Sequence, residues 1–245
     1  MRDIKLRYRQ TALGALWVII QPVMAACIFA FIFGKVAALP SEGIPYIVFS
    51  FAGQLGWNIF NNTLGKASGS IVGHSGMISK VYFPRMILPF SSALGSLLDF
   101  CIAFGIFLCF LVYFQITPGI QILLTPFWLL ILLALGIGLG LIASALMVSY
   151  RDVGHILPVL TNLLLYASPV HYSLQVALDK VGQQWQFIFL LNPLSGAIDG
   201  LRWSLLNTSP PQWPYVVYST TAAFVILTAG MIIFKRLERN FADII

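Results

Sequence analysis

The chain offers little for acid–base or metal chemistry: eight carboxylates and three histidines in 245 residues. His74, His155 and His171 sit at the ends of different apolar runs, the first two on one expected side of a membrane and the third on the other, so they do not form one site. No HExxH, CxxC or GxSxG pattern occurs. The nearest approach to a phosphate loop is LGKASG (64–69). A Walker A motif needs glycine where Phe60 stands and Ser or Thr where Ala67 stands. The chain is therefore expected to have no catalytic residues, no metal ligands and no ATPase site, and any ATP-driven work would need a motor on another chain.

The remaining charged residues read differently. Asp99 lies in the middle of an apolar run, where a lone charge is costly. It fits a structural hydrogen-bonding role or, less well, a proton relay, because no second carboxylate lies at its depth. Asp199 and Arg202, three apart, face one another on one side of a helix. The stretch ISKVYFPRMILPF (78–90) places Lys80, Tyr82, Phe83, Pro84 and Arg85 between two long apolar runs. It is either an ordinary basic loop with aromatics at the membrane interface or a surface that offers apolar area to a partner.

The elements that must position these residues follow from composition. Hydrophobic residues make up 59% of the chain and charged residues 9%, with a mean hydropathy of +0.89. A soluble domain carries about a quarter charged residues, so the bilayer must be part of the solvent. No removable signal peptide is read at the start. Six runs are long enough to span as helices: about 13–38, 44–64, 87–114, 121–149, 155–176 and 213–234. Of the fourteen Lys and Arg, eleven fall in one set of connections and three (Lys35, Lys180 and Arg202) in the other. The positive-inside rule puts both termini and residues 65–86 in the cytoplasm. The net charge of +6 is then a matter of topology, not of nucleic-acid binding.

Between the last two spans, residues 177–212 contain two apolar pieces too short to cross, punctuated by Pro193, Pro210 and Pro211. They predict a re-entrant or interfacial helical hairpin on the outer side. Residues 1–12 predict a basic amphipathic helix in the interface. Pro158 and Pro169 both fall in span five and predict kinks, whether or not that span lines a path. Gly65, Gly69 and Gly73, and Gly136 and Gly140 with Ser144, predict close helix packing, with a hinge as the alternative for the first series. Cys27, Cys101 and Cys109 read as small buried hydrophobes, not disulfides. Trp57, Tyr46, Tyr172, Trp185, Trp203, Trp213 and Tyr215 fit an outer aromatic belt. Part of that set, with Phe60 and Tyr166, is alternatively a stacking platform for sugar rings.

Four patches resemble one known family. RDIKLRYRQTALGALWVIIQP (2–22), MISKVYFPRMILP (77–89), YRDVGHILP (150–158) and NPLSGAIDGLRWSLL (192–206) are similar, in order and from end to end, to the membrane subunit of bacterial ABC-2 type polysaccharide exporters. The resemblance implies a single all-α transmembrane domain over 1–245, in the bacterial inner membrane, paired as a homodimer. It implies two copies of a separate cytoplasmic ATPase that bind the ATP and Mg, and a lipid-linked polysaccharide of O-antigen, capsule or teichoic-acid type as cargo.

Carried onto this sequence, Ile78, Lys80, Tyr82, Phe83 and Arg85 form a coupling helix on the ATPase, with Arg151, Asp152 and His155 as a second contact. Arg2, Lys5, Arg7 and Arg9 are placed to meet a lipid pyrophosphate, though topology and anionic membrane lipids explain them as well. A channel between spans one, two and five, with its outer gate, would draw on Trp57, Phe60, Tyr166, Tyr172, Asp199, Arg202 and Trp203. The alternatives are a permease of the same family that exports a small hydrophobic drug or lipid, an ion-coupled secondary transporter, and a membrane scaffold without transport. Asp99 alone, and no visible inverted repeat, tell against the ion-coupled reading.

Overall fold

The computed structural model describes residues 16–78 and 83–241. The expected interface helix (1–12), with Arg2, Lys5, Arg7 and Arg9, lies outside the described residues, as do Lys80 and Tyr82. Among the described residues every regular element is helical.

In chain order the elements are α1 (Leu16–Phe29), continued by a π-helical stretch over Ala30–Val36, α2 (Tyr46–Gly73), α3 (Ser75–Ile78), α4 (Ile87–Tyr113), α5 (Thr125–Ser149) and α6 (Val153–Ala167). Then come α7 (Leu174–Lys180), α8 (Gln186–Leu191), α9 (Pro193–Leu206) and α10 (Trp213–Leu237). Among the described residues, three helical stretches are long and apolar enough to cross a membrane by themselves: Ile87–Tyr113, Ile120–Ser149 and Trp213–Leu237.

Two boundaries differ from the sequence reading. Span two was placed at 44–64, but α2 runs on to Gly73, so its 28 residues extend about 42 Å. Residues 65–73, read as the start of a cytoplasmic loop, are two more turns of helix. Span five was placed at 155–176, but α6 stops at Ala167 after 15 residues, about 22 Å. Pro169 is the reason. It disfavours helix at Ser168, which is extended at φ −106°, ψ 147°. Pro169 therefore ends the helix instead of kinking it, and Pro158 is the one proline inside α6.

In lipid, helices associate through close van der Waals packing and not through water exclusion. The Gly136 series behaves as expected. A Cβ at Gly136 would come 2.9 Å from Thr63 of α2, and one at Gly138 would come 2.8 Å from the Ile226 backbone of α10. The Gly65 series does not. A Cβ at Gly65, Gly69 or Gly73 would meet nothing within 4 Å. The three cysteines also depart from expectation, since Cys27, Cys101 and Cys109 are exposed on the outside of the bundle.

α9 is the least expected element. Asn192 caps it, accepting from the Leu194 N–H at 3.0 Å, and Pro193 opens its first turn. Asn207, left-handed at φ 53°, closes it. Between these ends most of its residues are buried against α2, α5 and α10. Gly200 lies under the Trp128 ring and Gly56 of α2 under Leu201. The helix thus enters the bundle and does not lie on its surface.

Candidate functional site

α2 is buried nearly all round between Val48 and Ile71, except along one stripe. The positions left uncovered there are Gln54, Asn58, Asn61, Asn62, Gly65, Lys66 and Gly69, which follow the helical period down one face. The stripe forms a wall of a cavity of about 800 Å³. Gln21 and Pro22 of α1, Ser96, Asp99 and Phe100 of α4, and Pro158, Thr161 and Asn162 of α6 complete it. The channel was expected between spans one, two and five; the cavity draws on those three and on α4 as well.

Asp99 does not stand alone. Lys66 Nζ lies 2.7 Å from its Oδ2, and both side chains are about a quarter exposed. Lys66 had been counted among the cytoplasmic loop charges. The longer α2 carries it into the bundle instead, where it neutralises the acid on α4. Just above the pair, Thr63 Oγ1 and Ser96 Oγ share a hydrogen bond of 2.6 Å between the same two helices.

At the opposite end, the chain that follows α6 is non-helical and buried. Such backbone at membrane depth must find internal partners. Arg202 of α9 supplies them. Its Nη2 donates to the carbonyls of Pro169 at 2.6 Å and Val170 at 2.8 Å, and its Nη1 donates to that of Tyr172 at 3.2 Å. Asp199 sits 3.7 Å from Nη1, and the Phe49 ring lies 4.2 Å from the guanidinium carbon. Arg202 is 1% exposed. The frayed end of α6 is satisfied separately, as Asn192 Nδ2 donates to the Ala167 carbonyl and to Ser168 Oγ. His171, in the same loop, stacks on Phe29 at 3.6 Å between ring centres and shares a 2.8 Å hydrogen bond with Ser50. One arginine and one histidine thus tie the loop after α6 to α1, α2 and α9.

The other expected site residues scatter. Trp57 and Phe60 pack against each other inside the protomer, at 6% and 0% exposure, and do not line the cavity. Tyr166 is exposed on α6, and Tyr172 donates to its carbonyl at 2.9 Å. Trp203 is partly buried against the main core. At the inner end, Ile78 closes α3. Phe83 packs on the cluster of Ile71, Leu88, Leu141 and Phe234. Arg85 donates to the Glu238 carbonyl at 3.1 Å and lies over the Phe241 ring. Arg151, Asp152 and His155 are exposed at the turn between α5 and α6.

The cavity thus has one wall that bears carboxamides and lies beside long apolar helices. The sequence model of ABC-2 type transporters matches residues 1–206. The chain belongs to the ABC-2 type transporter family. Among its relatives is an "O-antigen export system permease protein RfbA" of Klebsiella pneumoniae, 28% identical over all of this chain and 92% of the relative. A protein of the same name from Myxococcus xanthus is 27% identical over 99% of this chain and 92% of its own length. A "Polysialic acid transport protein KpsM" of Escherichia coli is 24% identical over 97% and 91%.

For an ABC-2 type membrane protein, the informative residues in α2 are the carboxamides. Sequence reading took Trp57 and Phe60 from QLGWNIFNNTLGK and passed over Gln54, Asn58, Asn61 and Asn62. The signal was there, as a polar period of i, i+4, i+7, i+8 and i+12 inside an otherwise buried run.

Proposed function

We propose that this chain is the transmembrane subunit of an ATP-driven exporter that carries a lipid-linked polysaccharide of O-antigen type from the cytoplasm across the bacterial inner membrane. The observation that carries this reading is end-to-end similarity to permeases named for O-antigen export. The cavity among α1, α2, α4 and α6, with carboxamides along its α2 wall, supports it.

In this reading six segments cross the bilayer with both termini in the cytoplasm. α1 and α2 are the first two, α4, α5 and α10 are the long apolar ones, and α6 with the loop clamped by Arg202 completes the set. α9 is the re-entrant arm on the outer side. Two copies of the chain pair, and each docks one copy of a cytoplasmic ATPase through residues 78–85 and the exposed turn at Arg151, Asp152 and His155. That ATPase binds the ATP and Mg and performs all the hydrolysis. Arg2, Lys5, Arg7 and Arg9 meet the lipid pyrophosphate at the inner surface. ATP-driven movement at the inner end shifts α2 and α4, whose shared ion pair borders the path. A small hydrophobic cargo fits less well, because the cavity wall on α2 is amide-lined.

The test is reconstitution in proteoliposomes with and without the ATPase subunit, using a fluorescent undecaprenyl-pyrophosphate glycan. ATP-dependent transfer that requires the second subunit is the expected result. Transfer without it, or impermeant labelling of a cysteine at Lys80 from outside the cell, would overturn the reading.

A further inference from the structure

A helix that faces hydrocarbon shows it apolar side chains, as α4 does with Leu94, Leu98 and Ile102. α2 does the reverse. Its interior-facing positions are apolar or small, and its one open stripe is amide, glycine and lysine. Amide groups at membrane depth need water or a polar partner, since lipid offers neither donor nor acceptor. Gln54 makes the point sharply, because its Oε1 is out of contact with solvent and has no hydrogen-bond partner among the described residues.

The stripe has a direction and a spacing. Gln54 to Asn62 spans eight residues, about 12 Å along the axis, with an amide or amide pair at each turn of about 5.4 Å, and Gly65 and Lys66 follow on the next turn. Asn162 of α6 faces the same cavity. Each carboxamide offers two N–H donors and a carbonyl acceptor, which complements a hydroxyl group that both donates and accepts. Such bonds are individually modest, so a chain bearing many hydroxyls can be held by several and released from each in turn. Beyond the amides, Gly65 leaves the cavity wall without a side chain, and a Cβ there would meet nothing within 4 Å.

We propose that the open stripe of α2 is a saccharide-binding rail, on which the carboxamides of Gln54, Asn58, Asn61 and Asn62, faced by Asn162, hydrogen-bond successive hydroxyls of one extended glycan chain. This rests on the exporter reading and adds to it the surface and the bond type by which the cargo is held. It also gives Gly65 a role, as a bare position on the cavity wall and not part of a helix-packing seam.

The experiment uses the full complex with its ATPase subunit in proteoliposomes, with Cys27, Cys101 and Cys109 replaced by serine. Single cysteines are placed in the rail (N58C, N162C) and on the lipid-facing side of α4 (L98C). An impermeant charged thiosulfonate reacts only with a thiol that water reaches, so N58C and N162C are expected to react about tenfold faster than L98C. Maltoheptaose, a neutral hydroxyl-rich oligosaccharide, is the occupancy probe and is expected to slow both rail sites and not L98C. Labelling of N58C no faster than L98C means that protein or lipid covers the stripe and overturns the rail, as does labelling that maltoheptaose leaves unchanged. In a second arm, N58L should lower ATP-dependent export of the fluorescent glycan about tenfold, while N58Q, which keeps the amide, stays near wild type. Unaltered export by N58L together with N162L overturns the rail and leaves the exporter reading standing. A wild-type complex that exports no glycan overturns the exporter reading, and the labelling arm still decides the rail.

Discussion

The Lys66 ammonium lies 2.7 Å from the Asp99 carboxylate and joins α2 to α4 on the wall of the cavity. Each charge is partly desolvated, so removing one leaves the other poorly compensated. Lys66→Met or Asp99→Asn alone is expected to destabilise the protomer by about 2 kcal/mol, between the small value of a surface pair and the large value of a buried one. The double variant should recover part of that loss. Thermal unfolding of the detergent-solubilised protein checks this, and additive losses in the double variant would mean that the two residues do not act as a pair.

Arg202 is worth more, because three backbone carbonyls depend on it. Arg202→Met keeps the length and loses every hydrogen bond, and is expected to cost roughly 3–5 kcal/mol. Phe49→Leu removes only the ring under the guanidinium and should cost about 1–2 kcal/mol. Limited proteolysis within 168–173 should rise in the first variant and change little in the second.

Glu42 provides a pH signature at the outer end. Its Oε2 accepts from the Ser209 N–H at 3.0 Å and from Ser209 Oγ at 2.7 Å, and its Oε1 accepts from Ser173 Oγ at 2.7 Å. Burial alone pushes its carboxyl up, but these hydrogen bonds and the Arg202 charge outweigh it and hold the group below its ordinary value. The unfolded chain therefore takes up this proton first as pH falls. The stabilisation is complete above the ordinary carboxylate range and disappears as pH drops through the folded value. Glu42→Gln is expected to lower the melting temperature at neutral pH and to flatten its decline between about pH 5 and about pH 3. An unchanged slope would remove Glu42 from the acid response.

The two glycine series should respond oppositely to alanine. Gly138→Ala drives a methyl into the α10 backbone and is expected to cost about 1–3 kcal/mol. Gly69→Ala meets open space and should be neutral or stabilise by up to about 1 kcal/mol through helix propensity. Paired melting curves decide it, and an equal loss at both positions would contradict the packing described here.

Residues 82 and 83 of the proposed coupling segment call for two different measurements. Phe83 is packed within the chain, so Phe83→Ala should lower protomer stability by about 1–3 kcal/mol. On the proposed coupling role of residues 78–85, Tyr82→Ala is expected to weaken recovery of the ATPase subunit on co-purification. Undiminished recovery would count against residues 78–85 as the coupling segment.

Much of the architecture was legible because a bilayer imposes long apolar runs that any reading along the chain detects. The three long helices and the breaks around the prolines that flank α9 follow from length and composition. The end of α6 was misplaced because apolar character continues through VHYSLQVAL, and hydropathy does not register that Pro169 has removed the helix. The reach of α2 to Gly73 was missed because glycine, lysine and serine read as loop residues, although a helix packed on three sides tolerates them.

The sequence by itself determined that this is a helical membrane protein, and its resemblance to one transporter family was readable from four short patches. Those properties depend on composition and order, which need no contacts. Which face of α2 stays open, that Lys66 belongs to Asp99, and that Arg202 serves the carbonyls of Pro169, Val170 and Tyr172 were decided only by the tertiary structure. Each joins groups 30 or more positions apart. A helix carries every face in its sequence alike, and only the packing of α4, α5 and α9 around α2 chooses the one that stays open.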